Sequence, residues 1–173
     1  MMLTQSFIRE LFDYDAGKLI WKKRPDTHFA TKRACNTWNS RFAGAVAGRH
    51  RPDGYYVTHV GHRIYKNHRI IFMLHHGYLP KQIDHINGDR ADNRIENLRA
   101  ADNTTNQYNK KARSDSVSKI KNVRWHERTG KWEVRLTANG IRHSGGYYNT
   151  IEEAAHAAEL HRIKHHKEFA NHG

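Results

Sequence analysis

Residues 84–99 read DHINGDRADNRIENLR: Asp84 and His85 stand side by side, a loop dense in Gly, Asp and Asn follows, and Asn97 comes twelve residues after the His. Asn106 closes the span in NTTNQYN. A neutral imidazole can take a proton from water at pH 7. A carboxylate and an amide oxygen are hard ligands of the kind Mg²⁺ prefers, an ion that keeps several waters and takes one or two protein groups. Asn97 could accept from the imidazole or hold its loop. Together these groups meet the needs of phosphodiester hydrolysis: an activated water, charge neutralisation on the phosphate, and stabilisation of the leaving 3′ oxygen. An Asx-rich turn that merely stabilises a small fold is the competing reading. An Asp-His pair alone would carry little weight, and it is the joint set that points to a nuclease.

The flanking sequence supplies elements to position these groups. KQIDH reads as a strand delivering Asp84 and His85, INGDRADNR as a turn-rich loop bending at Gly88, and IENLRAA as a second short strand. DNTTNQYNKK then starts a helix capped by Asp102 or Asn103, with Asn106 in its first turn facing back toward the strand end that carries Asp84. Upstream, TQSFIRELFDYD places Phe7, Ile8, Leu11 and Phe12 at helical spacing after Thr4 or Ser6. KLIWKKR reads as a strand. GYYVTHVGHRIYKNHRI reads as two strands turning near Gly61, with Tyr56 and Thr58 facing opposite to Val57 and His59. NHRIIFMLHHGYLP is apolar enough for a buried helix closed by Gly77 and Pro80, and His68 at its start reads as a packed or capping residue ahead of a catalytic one.

Thirty Lys and Arg against 17 Asp and Glu give a formal charge of +13, divided almost evenly on the two sides of Lys110. Such a field attracts a polyanion, and nucleic acid binds through neutralised phosphates with counterion release. A membrane surface is disfavoured because no basic amphipathic helix with a bulky apolar face is evident. One cysteine, Cys35, excludes an intrachain disulfide and a Cys-rich zinc knuckle. The opening MMLTQSFIRELFDYD lacks a basic stretch followed by an apolar core, so a soluble protein of the cytoplasm, the host's if phage-encoded, is expected. Most of the 15 histidines, such as His165 and His166, sit in basic contexts that read as solvated surface.

DHINGDRADNRIENLR followed by NTTNQYN resembles the HNH endonucleases, the ββα-metal nucleases, and most of all their phage-type homing members. YYVTHVGHRIYKNHRIIFMLHHGYLP resembles the segment those enzymes carry ahead of the motif, so the likeness covers roughly residues 5–110. It implies His85 as general base, Asn97 as the residue orienting it, Asp84 and Asn106 as metal ligands, and Mg²⁺ or Mn²⁺ as the cofactor. Many members have His where Asn106 stands; the Asn variant occurs in homing-type members and favours a hard ion over zinc.

From Asn109 to Lys119 the chain is polar, charged and aperiodic, as a linker would be. Beyond it, NVRWHERTGKWEVRLTANGIRHSGGYYNT reads as three short strands separated by RTG and ANG turns. A helix follows from about Ile151 to Lys167, capped by Asn149 or Thr150 with Glu153 nearby. Trp132, Val134 and Leu136 alternate with Glu133, Arg135 and Thr137, giving one core face and one basic, polar face. Ala154, Ala155 and Ala158 form a smooth stripe that lets the helix lie close on the sheet. Trp125, Trp132 and Tyr148 read as core or edge residues rather than stacking platforms. NVR, GKWEVRL, Gly145 to Tyr148 and TIEEAAHAAE resemble the ethylene-response-factor (Apetala-type) DNA-binding domain of plants, which also occurs fused to phage HNH nucleases. That resemblance implies DNA contacts by Arg124, His126, Arg135, Thr137, Arg142 and Ser144. His126, Thr137 and Ser144 replace residues that are basic in the family, so its target sequence does not carry over.

The expected protein is therefore α+β, with a small N-terminal sheet and ββα-metal motif in a nuclease domain at 1–108, a basic linker at 109–119, and a three-stranded sheet packed on one helix at 120–173. The expected activity is metal-dependent cleavage of double-stranded DNA, of a phage homing or nicking type, with no obligate protein partner evident. A non-catalytic DNA-binding regulator and an RNA-binding protein are the alternatives.

Overall fold

The Thr4 hydroxyl accepts from the Phe7 amide at 3.3 Å and starts α1 (Gln5–Leu11), which buries Ile8 and Leu11. In the computed structural model, which describes residues 3–172, the chain divides into two units, Met1–Ala100 and Ala101–Gly173. The helix ends before Phe12, short of the apolar spacing. Phe12 turns into β1 (Phe12–Asp15), which pairs antiparallel with β2 (Lys18–Trp21), and the turn between them takes positive φ at Ala16 (43°) and Gly17 (89°).

An unexpected helix follows, α2 (Lys32–Phe42), capped by Thr31. Its few apolar residues are too sparse to show as a period. Then β3 (Arg49–His50), β4 (Tyr56–Val60) and β5 (Arg63–Lys66) form an antiparallel sheet in that order. Thr58 departs from the expected alternation: it is buried with Val57, because its hydroxyl donates to Asn67 Oδ1 at 2.7 Å. α3 (Asn67–His76) ends at Gly77 in the left-handed conformation, as expected. β6 (Gln82–His85) and β7 (Leu98–Ala101) form a two-stranded sheet. One core joins these pieces: Ile8, Leu11, Phe12, Leu19, Ile70, Ile71, Phe72 and Leu98 are buried together. Removing such side chains from water stabilises each by about 1.5–3 kcal/mol.

In the second unit α4 (Asn103–Tyr108) begins at a reciprocal capping box between Asp102 and Thr105. β8 (Val123–His126), β9 (Lys131–Ala138) and β10 (Ile141–Tyr148) form an antiparallel sheet of order β10-β9-β8. α5 (Ile151–His166) covers one face, capped by Thr150 with Glu153 returning the bond. Ala154 and Ala158 are fully buried against Val123 and Val134. The division between the two units falls ahead of α4. The cause is Tyr108: its ring stacks on His166 at 3.9 Å, its hydroxyl accepts from the Asn139 amide at 2.7 Å, and it packs with Leu136, Ala138 and Phe169. Segment 109–119 has no helix or strand, and Ser118 is buried, bonded to the carbonyls of Ile120 and Val123. Among the described residues no helix is long and apolar enough to cross a membrane.

Candidate functional site

β6 delivers Asp84 and His85 at its end, each only 5% exposed. Arg99, from the partner strand β7, donates Nε (2.9 Å) and Nη2 (2.7 Å) to Asp84 Oδ2, a charge-assisted pair that fixes the carboxylate. His85 Nε2 lies 3.2 Å from Asn93 Oδ1. A carboxamide oxygen can only accept, so the neutral imidazole carries its proton at Nε2 and its basic lone pair at Nδ1. Burial pushes His85 below the ordinary imidazole value, opposed by the Asn93 bond and by the charges of Asp84, Asp89 and Asp92. At neutral pH the ring is thus in the form that a general base requires.

The loop that holds Asn93 is tied together from within. Asn97 Oδ1 accepts from the Asn87 amide (3.0 Å), while its Nδ2 donates to Asn87 Oδ1 (3.0 Å) and to the Asp92 carbonyl (2.8 Å). Asn97 is thus the staple of the loop, and the amide that meets the imidazole is Asn93. The orienting role that the resemblance implies for Asn97 would act through the loop it holds. Both hydrogens of its carboxamide are directed to the loop, which matches the second of the two roles open to it. Asn93 was passed over because, inside an Asp-Asn-Arg run, it looks like one more turn former. Gly88 bends the loop at φ 75° and donates to the His85 carbonyl at 2.8 Å. The Arg94 pair holds the Asp92 carboxyl down at about 2, and Asp92 accepts in turn from Asn87 at 2.8 Å.

Two further contacts reach this loop from the N-terminal hairpin. Tyr14 Oη accepts from the Ile95 amide at 2.9 Å. A Cβ placed on Gly17 would stand 2.8 Å from the Arg94 nitrogen and 3.0 Å from the Asn93 carbonyl carbon. The β1–β2 turn therefore abuts the backbone of residues 93–95, where only a glycine fits.

His68, at the start of α3, packs edge-on against the His85 ring, centroids 5.0 Å apart. Burial and the neighbouring His85, Lys66 and Arg69 push it down to about 3, so it stays neutral. The packed-residue reading is the one the structure supports, and the partner is His85 itself. Tyr55 lies 5.2 Å from His68 and 6.1 Å from His85, with Lys66 Nζ 3.5 Å and the Arg90 guanidinium 5.1 Å from its ring centroid. An aromatic ring bearing two cations next to an imidazole suits a phosphate-rich substrate.

Asn106 stands half-buried on α4 in the second unit, its amide donating to the Asp102 carbonyl at 3.1 Å. Among the described residues no group of three or more His, Cys, Asp or Glu side chains is disposed to hold a metal ion. The Asp84 carboxylate is a hard oxygen donor of the kind a magnesium-type ion takes, and such an ion needs few protein ligands.

On the sheet of the second unit, the six residues expected to touch DNA share the face opposite α5. Arg124 and His126 come from β8, Arg135 and Thr137 from β9, Arg142 and Ser144 from β10, with Ser144 opposite Arg135 and Arg142 opposite Thr137. Two neighbours on this face lie outside the expected set of DNA contacts. Glu133, 5% exposed, sits between the arginines, bonded to Arg124 and 3.9 Å from Arg135 Nη1. Burial raises its carboxyl, and the Arg124 bond with the surrounding charges outweighs that and leaves it lowered. The second is Tyr147. A bulge between Ser144 and Gly146 shifts the register by one residue, so Tyr147 rather than Gly146 lies opposite Glu133. Tyr147 is thereby placed on the basic face, 47% exposed, its ring 5.1 Å from that of His126. The bulge also seats Gly145 over the core, where a Cβ would come within 2.5 Å of Val134 Cγ1.

Comparison with known proteins agrees with both halves. Residues 65–108 match the HNH endonuclease family, and residues 118–168 match the AP2 domain family. Protein 3.8 of Escherichia phage T7 is 28% identical over 92 residues, which are 52% of this chain and 76% of that protein. No solved structure matches. The buried Asp-His pair on its strapped loop and the basic sheet face thus sit in two recognised domains, and the chain carries an HNH endonuclease domain followed by an AP2 domain.

Proposed function

We propose that the protein is a site-directed DNA endonuclease of phage homing or nicking type, acting with a divalent metal ion. The observation that carries this reading is His85: buried, neutral, its proton placed at Nε2 by Asn93, and adjacent to a carboxylate fixed by Arg99. His85 Nδ1 takes the proton of the attacking water. Asp84 and Asn106 are the oxygen ligands proposed for Mg²⁺ or Mn²⁺, which when bound supplies charge neutralisation on the scissile phosphate and stabilises the leaving 3′ oxygen. Tyr55, Lys66 and Arg90 receive the substrate backbone. The likeness to a phage protein supports an enzyme working in the host cytoplasm.

Incubation with supercoiled plasmid tests the class. Nicked or linear product is expected in Mg²⁺ or Mn²⁺ and none in EDTA. Intact plasmid with both metals would sink the proposal and favour the non-catalytic regulator.

Cutting and addressing are separable in this reading. A cleft around one phosphate reads little sequence, whereas the AP2 face can gain about 1–3 kcal/mol per bidentate base contact. Arg135→Ala should therefore shorten retention on immobilised target duplex at moderate salt about tenfold or more, with the metal requirement unchanged. Equal retention would remove Arg135 from the interface. Structured RNA that displaced the duplex at equal concentration would favour the RNA-binding alternative.

A further inference from the structure

Helix α2 lies outside both segments that match known families, and its sequence, KRACNTWNSRF, is divided cleanly by face. Cys35, Trp38, Asn39 and Phe42, spaced i, i+3, i+4 and i+7, turn toward the body of the first unit. Asn39 Oδ1 accepts from the Arg24 amide at 2.8 Å and its Nδ2 donates to the Arg24 carbonyl at 2.9 Å. Trp38 meets Trp21 edge-on at 5.2 Å and packs on Phe29 and Phe42. The helix is thereby held in one orientation.

The opposite face carries Lys32, Arg33, Asn36, Thr37, Ser40 and Arg41, all exposed. The helix has no acidic residue, and among the described residues none of its three cations is in an ion pair. Arg41 lies over the Phe42 ring at 5.1 Å, and an open groove of about 530 Å³ is lined by Thr31, Arg33, Thr37 and Arg41 together with the rings of Phe29, Trp38 and Phe42. A merely solvated helix face usually mixes both signs, often as i, i+4 pairs. Here cations alternate with Asn, Thr and Ser, the side chains that bond phosphates and base edges. A membrane surface does not fit, since the exposed face offers no bulky apolar side chain. The major groove of duplex DNA admits a helix, whereas that of A-form RNA is too narrow to be read by side chains.

We propose that α2 is a DNA-reading helix of the nuclease unit, placing the stripe from Arg33 to Arg41 in the major groove of the duplex. This rests on reading the first unit as a DNA nuclease, and it gives that unit a grip and a base preference of its own beside the AP2 domain. Asn36 and Arg33 are the base readers, and Lys32 and Arg41 flank them on phosphates.

The test uses the full-length chain, with duplex affinity measured across a salt series and cleavage measured at saturating DNA. Lys32→Gln with Arg41→Gln is expected to lower the slope of log affinity against log salt by about 2, since each lost phosphate contact removes roughly 0.9. Turnover at saturation should hold within about twofold. Asn36→Ala should leave the slope unchanged while broadening the sequences cut from a randomised plasmid pool. An unchanged slope in the double variant, a loss of turnover without a change in slope, or an unaltered cleavage pattern for Asn36→Ala overturns the inference. If the wild-type chain cleaves and the double variant keeps its slope, α2 is excluded while the nuclease reading stands. If the wild type never cleaves with either metal yet the double variant loses slope, the nuclease reading falls and the DNA-reading helix remains.

Discussion

Replacing His85 by Ala should lower DNA cleavage by about 10²- to 10⁴-fold, the range in which a positioned general base contributes, and leave duplex affinity nearly intact. The side chain is 5% exposed, so it adds little to the surface that holds the DNA. Its ring is wedged between Asn93 at Nε2 and the edge contact with His68, so its position is defined before substrate arrives. Removing it leaves a cavity, and thermal unfolding should register a loss of about 1–3 kcal/mol for the first unit. Cleavage is therefore to be compared well below the melting temperature, where both proteins are folded. Single-turnover measurement at saturating plasmid in Mg²⁺ gives the chemical step directly. Unchanged turnover in this variant would remove His85 as the base. A matched fall in affinity and turnover would assign it to substrate binding instead.

The second large effect is expected far from His85 in sequence. Gly17→Ala should lower cleavage by on the order of 10²-fold, the loss that a displacement of about 1 Å can cause at a reacting centre. DNA retention on the AP2 face should not change. Two physical terms act together. Gly17 holds φ at 89°, where an added Cβ costs about 1 kcal/mol or more. That Cβ would also lie 2.8 Å from the Arg94 nitrogen and 3.0 Å from the Asn93 carbonyl carbon, closer than nonbonded carbon can approach backbone. Either the hairpin or the loop must yield, and Asn93 is the loop residue that sets the proton of His85. Tyr14→Phe is the gentler companion, since it removes only the hydroxyl that accepts from Ile95. Wild-type cleavage by a folded Gly17→Ala protein would show that the loop keeps its course without the hairpin.

What was legible in the chain, and what was not, follows from how local each contact is. Asp84 and His85 are adjacent, and a strand end presents them whatever the rest of the fold does. The caps of α1, α4 and α5 were legible because they involve residues three apart. The roles of Asn93 and Asn97 were not. Both are amides in one Asx-rich turn, and which of them meets the imidazole depends on the course of the loop, set in part by Tyr14 and Gly17 some eighty residues earlier. Helix α2 was hidden because polar bonds from Asn39 to Arg24 replace much of the apolar stripe that periodicity needs. Tyr147 was hidden by the bulge, since alternation counted from Arg142 and Ser144 puts it on the wrong face. Phe12 satisfied the helical spacing of α1 and was used instead as the first strand residue, where its ring packs at a tilt on Trp21, centroids 4.4 Å apart.

The abutment of the β1–β2 turn on residues 93–95 bears on what can be transplanted. The segment that resembles other HNH endonucleases begins at residue 65 and contains Asp84, His85, Asn93 and Asn97, so on paper it is a portable cutting module. Yet the surface that shapes its loop, and four of the ten buried residues of the core beneath it, Ile8, Leu11, Phe12 and Leu19, come from the first twenty residues. A graft of the motif alone onto another DNA-binding protein would carry the reagents without the mould. The N-terminal hairpin and this loop are packed as one piece, and a chimera that keeps them together as one block is the one expected to retain cleavage.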